Sequence, residues 1–72
     1  MAMVIFEATG PKGEELAMAA GESAGVPVGW DDEFSSATFD SDSADPEELE
    51  ATITGVLDAL DPDWRSHLRA VD

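Results

Sequence analysis

The first apolar stretch of the chain covers residues 2–9, AMVIFEAT, and changes from continuous to alternating. Val4 and Phe6 share one side of an extended chain, and Met3 and Ile5 share the other. This pattern predicts a strand with one fully buried side. Because Met3 and Ile5 make the opposite side apolar too, we expect the strand to be central or covered by a partner rather than exposed at an edge.

The next segment, residues 14–24, has the spacing of a helix. Leu16, Ala20 and Ala24 recur every four residues, and Gly25 is a typical helix end. The inward side is almost all alanine and glycine, so it adds little apolar area but allows a neighbour to approach closely. That neighbour is expected to be a sheet, with another helix as the alternative.

Two short extended segments follow, residues 26–30 and 33–39, and two aspartates between them indicate a turn. They predict a hairpin. Pro27 and Gly29 make the first arm an edge strand or an irregular segment. The second arm, EFSSATF, carries one aromatic residue on each side, so its register is weakly specified.

The strongest helix signal lies in residues 45–60. Asp45 supplies a capping side chain, Pro46 occupies the first helical position, and Glu48 completes the capping-box pattern. An apolar stripe with helical spacing follows, formed by Leu49, Ile53, Val56, Leu57 and Leu60. These features predict a helix that buries the stripe.

The last segment starts at Pro62, which stands between two aspartates. This Asp-Pro sequence, like the one before the preceding helix, is typical of the end of one helix and the first residue of another. Trp64, Leu68 and Val71 follow at spacings of four and three. This spacing predicts a short final helix.

Residues 1–72 therefore predict one α+β domain of two layers. A sheet of two or three strands, antiparallel or mixed, packs against the helices in the order strand, helix, hairpin, long helix, short helix. Such a sheet leaves one face uncovered, so Met3 and Ile5, with Phe39 or Trp30, would be exposed in a monomer. We therefore expect self-association, with Met3 and Ile5 as contact residues.

The charge balance adds a prediction about the environment. The chain has 17 acidic and three basic residues, a formal net charge of −14. The net charge of small soluble domains is usually about 2–8 in magnitude. Self-repulsion of this size destabilises a fold unless salt screens it. The scarce lysine, the Asp-rich loops and the abundant alanine and glycine resemble proteins of halophilic archaea that accumulate salt internally. We therefore expect a cytoplasmic protein that does not bind nucleic acid directly.

The supply of residues for catalysis or metal binding is small. The chain has no cysteine and one histidine, so a cofactor or structural metal is not expected. Asp40 and Asp42 resemble the start of a calcium loop, but the third ligand position is Ala44. Ser66 and His67 are adjacent on the predicted helix, where their side chains diverge. No apolar run approaches the ~20 residues of a membrane span. We expect neither enzyme activity nor membrane binding.

Two of the three basic residues, Arg65 and Arg69, lie on one side of the predicted final helix. With Trp64 they form a set that is frequent in binding hot spots. This set predicts a partner-binding strip away from the sheet. The alternative is that the arginines balance local acids, such as Asp61, and the negative end of the helix dipole.

The strand-helix-hairpin-helix order and the chain length, with Ala44, Asp45 and Leu49 before the long helix, resemble the small dimeric subunit of the archaeal tRNA threonylcarbamoylation complex. The longer, more regular strands of that family are missing here. The resemblance would imply two subunits assembled around a shared sheet.

Three functions fit these observations. The first is a non-catalytic interaction module or accessory subunit, homodimeric or bound to a protein partner. The alternative is a small ligand-binding or enzymatic dimer, with its site at the subunit interface near Trp30 and the acidic turn. The third is an acidic mimic of nucleic acid.

Overall fold

The computed structural model describes residues 2–42 and 45–71. In chain order its elements are β1 (Ala2–Ala8), α1 (Gly13–Ala24), β2 (Val28–Asp31), β3 (Ser36–Ser41), α2 (Pro46–Leu60), a 3-10 turn (Trp64–Ser66) and β4 (Leu68–Val71). The strands form one sheet in the order β2-β3-β1-β4, and all neighbouring pairs are antiparallel. This βαββαβ arrangement is the ferredoxin-like topology. The predicted α+β class is confirmed.

Strand β1 lies inside the sheet, with β3 on one side and β4 on the other. Val4 pairs with Phe39 of β3, and Phe6 pairs with Ala70 of β4. The side chains of Val4 and Phe6 are buried, whereas that of Met3 is exposed. The central position that the apolar pattern predicted is therefore confirmed.

Helix α1 begins at Gly13 and ends before Gly25, whose left-handed conformation has a φ of 70°. Its buried side consists of small residues and Leu16. The small residues matter because a Cβ atom added to Gly21 would lie 2.5 Å from Cγ1 of Val28 on β2. The close approach is thus made to the sheet, as predicted.

Helix α2 begins where the sequence indicated. Oδ1 of Asp45 accepts a hydrogen bond from the backbone N–H of Glu48 at 2.8 Å, and Pro46 is the first helical residue. The buried part of its apolar stripe is Leu49, Ile53 and Leu57. Leu60, at the other end of the predicted stripe, is exposed.

Strands β2 and β3 form the predicted hairpin, and β2 is an edge strand. Oδ1 of Asp31 accepts hydrogen bonds from the N–H groups of Glu33 at 2.9 Å and Phe34 at 3.4 Å. These bonds hold residues 32–35 in a turn. Strand β3 therefore starts at Ser36, later than the extended segment that the sequence predicted.

The end of the chain differs from the prediction. In place of a short helix it forms the 3-10 turn and then β4, so the sheet has four strands rather than two or three. Oδ1 of Asp61 accepts a hydrogen bond from the N–H of Asp63, the residue before this turn, at 2.9 Å. Beyond it, Leu68 is buried and Ala70 packs against the core. Pairing with β1 gives the backbone hydrogen-bond partners, whereas so short a helix is unstable.

The centre of the core is Phe6. Its ring lies edge-to-face against Phe39, with 5.5 Å between centroids, and at 6.1 Å from Trp64. Trp64 is only 3% exposed. The turn after α2 is therefore part of the core, on the side of the sheet where both helices pack.

Candidate interaction surfaces

One face of the sheet is uncovered in the part of the chain that the structure describes, because both helices pack on the other face. We call the uncovered side the open face. Its side chains alternate along the strands with the buried ones and are Met3, Ile5, Glu7, Asp31, Ser36, Thr38, Asp40, Arg69 and Val71. Met3 is 57% exposed and Val71 41%. The uncovered position predicted for Met3 and Ile5 is therefore what the structure shows.

Phe34 extends the apolar part of the open face. The turn between β2 and β3 places it there, and its side chain is 68% exposed. It borders a shallow depression of about 470 Å³ whose lining also includes Ile5, Thr38 and Val71. Its apolar lining is Ile5, Phe34 and Val71, and its polar lining includes Glu7, Asp31 and Ser36.

Two aromatic residues that were expected on the open face are on the covered one. Phe39 is fully buried, and Trp30 packs partly buried against the core. Residues directly opposite each other on paired strands lie on the same face of the sheet. Trp30 lies opposite the buried Ala37, and Phe39 lies opposite Val28, which packs against the core. The prediction that Phe39 or Trp30 would be exposed on the open face was wrong, and Phe34 holds that place.

The open face also carries one ion pair. Glu7 and Arg69 lie opposite each other on β1 and β4, and Nη2 of Arg69 donates to Oε2 of Glu7 at 2.8 Å. Exposed ion pairs contribute about 0–1 kcal/mol to stability. The pair matters more for charge, because it leaves the β1–β4 side of the open face neutral in a chain with a net charge of −14.

A second polar cluster joins the 3-10 turn to α2. Nε1 of Trp64 donates to Oδ1 of Asp58 at 2.6 Å, and Nη1 of Arg65 donates to the same oxygen at 3.1 Å. The guanidinium carbon of Arg65 lies 4.4 Å from the Trp64 ring centroid, so it stacks on the indole. The hydrogen bond from Trp64 lowers the pKa of Asp58; desolvation opposes this, and the charge of Arg65 lowers the pKa further.

Trp64, Arg65 and Arg69 do not lie along one helix away from the sheet, as the sequence predicted. Trp64 is buried, Arg65 stacks on it at the surface, and Arg69 lies on β4 beside Glu7. The helix that would have aligned the two arginines is absent from this segment because β4 replaces it. The expected partner of Arg65 was Asp61, but the bond is made to Asp58. The partner-binding role of the three residues stays a prediction.

An open groove runs between α2 and the outer side of β4. Its lining is Thr9, Thr54, Trp64, Arg65, Leu68, Arg69 and Ala70, and its volume is about 540 Å³. We call it the β4 groove. It joins an apolar inner wall, formed by Trp64, Leu68 and Ala70, to two arginines at its rim. The sequence contains these residues, but only the pairing of β4 with β1 shows that they share a groove.

The other residues considered for chemistry are not brought together. No three His, Asp or Glu side chains within residues 2–42 and 45–71 converge on a possible metal position. Ala44, part of the calcium-loop comparison, lies outside the described residues. Nδ1 of His67 is buried without a hydrogen-bond partner, and a Cβ atom on Gly10 would lie 2.5 Å from it. This nitrogen of His67 is therefore packed against Gly10.

Comparison with known proteins gives no match: no protein family model, no curated protein and no solved structure matches this chain. The resemblance to the tRNA-modification subunit thus stays an untested expectation. Neither α1 nor α2, the helices found in residues 2–42 and 45–71, is long and apolar enough to cross a membrane.

Proposed function

We propose that the protein is a non-catalytic interaction module that works as a homodimer in a salt-rich cytoplasm, with the open face as the dimer interface. One observation carries the proposal. Five large hydrophobic side chains are exposed in the described residues, and three of them, Met3, Phe34 and Val71, lie on or beside the open face. Ile5, which is partly buried, lies opposite Val71.

The character of the open face favours a second copy as its occupant. A two-fold interface uses the same patch on both subunits, so the patch has to complement itself. The open face offers an apolar area beside the Glu7–Arg69 pair. In such a dimer the apolar areas of the two copies would contact each other. Arg69 of each copy would face carboxylates of the other copy.

The charge and the size of the chain support the same proposal. Two copies that each carry −14 repel each other, but molar salt shortens the Debye length to about 3 Å and leaves only near neighbours in repulsion. Contact through the open face lowers that cost on its β1–β4 side, where Arg69 neutralises Glu7. A chain of this length also gains stability from association, because it buries only about 60% of its surface alone.

Sedimentation equilibrium in about 2 M KCl tests the proposal. The wild type is expected to be a dimer, and Ile5→Glu should weaken the dimer by about 100-fold or more, because the new carboxylate would be buried without a partner. Met18→Glu is the matched control. Met18 is an exposed apolar residue of α1, so its change should leave the dimer intact.

Far-ultraviolet circular dichroism of each variant establishes that the fold is kept. A wild type that stays monomeric over the accessible concentrations would overturn the proposal. Equal dissociation by Ile5→Glu and Met18→Glu would overturn it too, because the effect would then come from charge alone.

One observation supports the second candidate function, a ligand-binding or enzymatic dimer. A second copy on the open face would cover the depression between Ile5, Phe34 and Val71, and covered apolar depressions at interfaces are typical ligand sites. This site would include Asp31 of the acidic turn.

A further inference from the structure

Strand β4 is an edge strand whose outer side has no strand beside it in the described sheet. Across the β1–β4 pair, the N–H of Thr9 donates to the carbonyl of His67 at 2.8 Å. Hydrogen-bonded and non-hydrogen-bonded residue pairs alternate along antiparallel strands. Since Thr9 and His67 are a hydrogen-bonded pair, the backbone groups of Arg69, two residues after His67, also bond to β1. Leu68 and Ala70 therefore direct their N–H and C=O groups outward, to the free edge.

The β4 groove lies along this edge, on the side of the helices. A strand added to β4 would alternate its side chains between the two faces of the sheet. The side chains opposite Leu68 and Ala70 would enter the groove and contact Trp64 on its inner wall. The side chain opposite Arg69 would lie on the open face beside the guanidinium group.

Charge complementarity indicates what kind of strand fits. The chain has three basic residues, and two of them, Arg65 and Arg69, line the β4 groove. Each donates one hydrogen bond to a carboxylate, and their side chains remain 66% and 67% exposed. The other edge strand, β2, leads instead into the acidic turn that begins at Asp31.

We propose that the free edge of β4 binds an extended acidic segment of a partner protein as a fifth strand. Apolar side chains of that segment occupy the β4 groove, and a carboxylate between them pairs with Arg69. The main-chain bonds to Leu68 and Ala70 supply affinity, as in other cases of strand addition. This site shares Arg69 with the open face, but its main-chain bonds are made at the outer edge of β4, so the proposal does not depend on the open-face dimer.

A second copy of this chain fits the edge less well. Antiparallel pairing of two β4 strands about a two-fold axis, with Leu68 opposite Ala70, would place the two Arg69 side chains directly opposite each other. Like charges in that position are destabilising. An acidic segment places a carboxylate there instead.

The test uses the full chain in about 1 M KCl, where the Debye length is about 3 Å. The probe is a fluorescein-labelled octapeptide in which valine and glutamate alternate, and binding is followed by fluorescence anisotropy. Ala70→Pro removes an outward N–H that β1 does not use, so the dissociation constant should rise about tenfold. Ala70→Ser keeps the N–H and should bind like the wild type.

The charge contribution is measured separately. Arg69→Ala should weaken binding by about two- to fivefold, as expected for an exposed ion pair. Lys12→Ala removes the same charge from a residue that does not line the groove, and it should weaken binding less than Arg69→Ala does. A peptide that alternates valine and lysine should bind more weakly than the acidic peptide.

A measurement without any variant keeps the proposal testable if Ala70→Pro does not fold. In the wild type, the acidic peptide should slow the hydrogen exchange of the Leu68 and Ala70 amides more than that of other amides. No binding of the acidic peptide, preference for the lysine peptide, or unchanged exchange at Leu68 and Ala70 would overturn the proposal. Loss of the wild-type dimer in Ala70→Pro but not in Ile5→Glu would overturn it as well, because a second copy would then occupy the edge.

Discussion

The two faces of the sheet are built from alternate residues of the same strands, but they have different chemistry. The covered face is closed by aromatic and aliphatic side chains, with Phe6 packed edge-to-face on Phe39. The open face mixes exposed apolar side chains such as Met3 with acids and one ion pair. This difference indicates that the covered face stabilises the fold, while the apolar groups of the open face are available for association.

The largest expected effect is on the covered face. Phe6→Ala should lower the free energy of unfolding by about 3–5 kcal/mol, because a fully buried aromatic side chain leaves a cavity. That is a large part of the stability of a small domain. Met3→Ala, at an exposed position, should cost less than about 1 kcal/mol. Urea unfolding of dilute protein at high salt measures both; equal losses would remove the distinction between the faces.

An intermediate effect comes from two helix glycines. Gly21→Ala places a methyl group 2.5 Å from Cγ1 and 2.9 Å from Cβ of Val28, so α1 or β2 has to shift, at a cost of about 1–3 kcal/mol. Gly55→Ala in α2 meets no atom within 4 Å and should stabilise by about 1 kcal/mol through helix propensity. Thermal unfolding of the two variants measures both shifts. If both variants were stabilised, the tight contact between α1 and the sheet would be refuted.

The smallest expected effect depends on pH and concerns Asp58, at the rim of the core. Its folded pKa is lowered from the usual 3.8, mainly by the hydrogen bond from Trp64. Its contribution to stability is therefore present above pH 3.8 and lost as the pH falls through the lower folded value. Asp58→Asn should differ most from the wild type above pH 3.8, and the difference should shrink below it.

Melting temperatures across this pH range measure the effect of Asp58. Trp64→Phe keeps a ring but removes the indole N–H, so most of the pH-dependent difference should disappear in that variant. A difference between wild type and Asp58→Asn that stays constant with pH would show that the hydrogen bond has no role in it.

Local signals account for most of the fold that the sequence predicted. Asp45 and Pro46 mark the start of α2 because capping is decided by neighbouring backbone groups. Strand β4 was missed because its four residues are held extended by pairing with β1, at the other end of the described chain. Trp64 and Leu68 are spaced as in a helix, but tertiary pairing outweighs this weak local preference.

The surfaces were predicted only in part, for a similar reason. Met3 and Ile5 were found because strand alternation assigns them to one face. Phe34 was missed because the alternating pattern of its segment predicts a strand. In the structure Phe34 lies instead in the turn held by Asp31, and this turn exposes it. Trp64 is buried by packing against Phe6 of β1 and other core residues, on elements distant in sequence, so no local pattern reveals its burial.

The pairing of β1 with β4 also affects how the molecule reaches its structure. Ile5 lies opposite Val71, at the two ends of the described chain, and joining distant segments costs loop-closure entropy before the contact stabilises anything. Pairings of this kind slow folding relative to local ones. We therefore expect the hairpin and helices to associate early and β4 to close the sheet late. A partner that recognises the edge of β4 would bind only chains that have finished folding, so complex formation would distinguish mature molecules from incomplete ones.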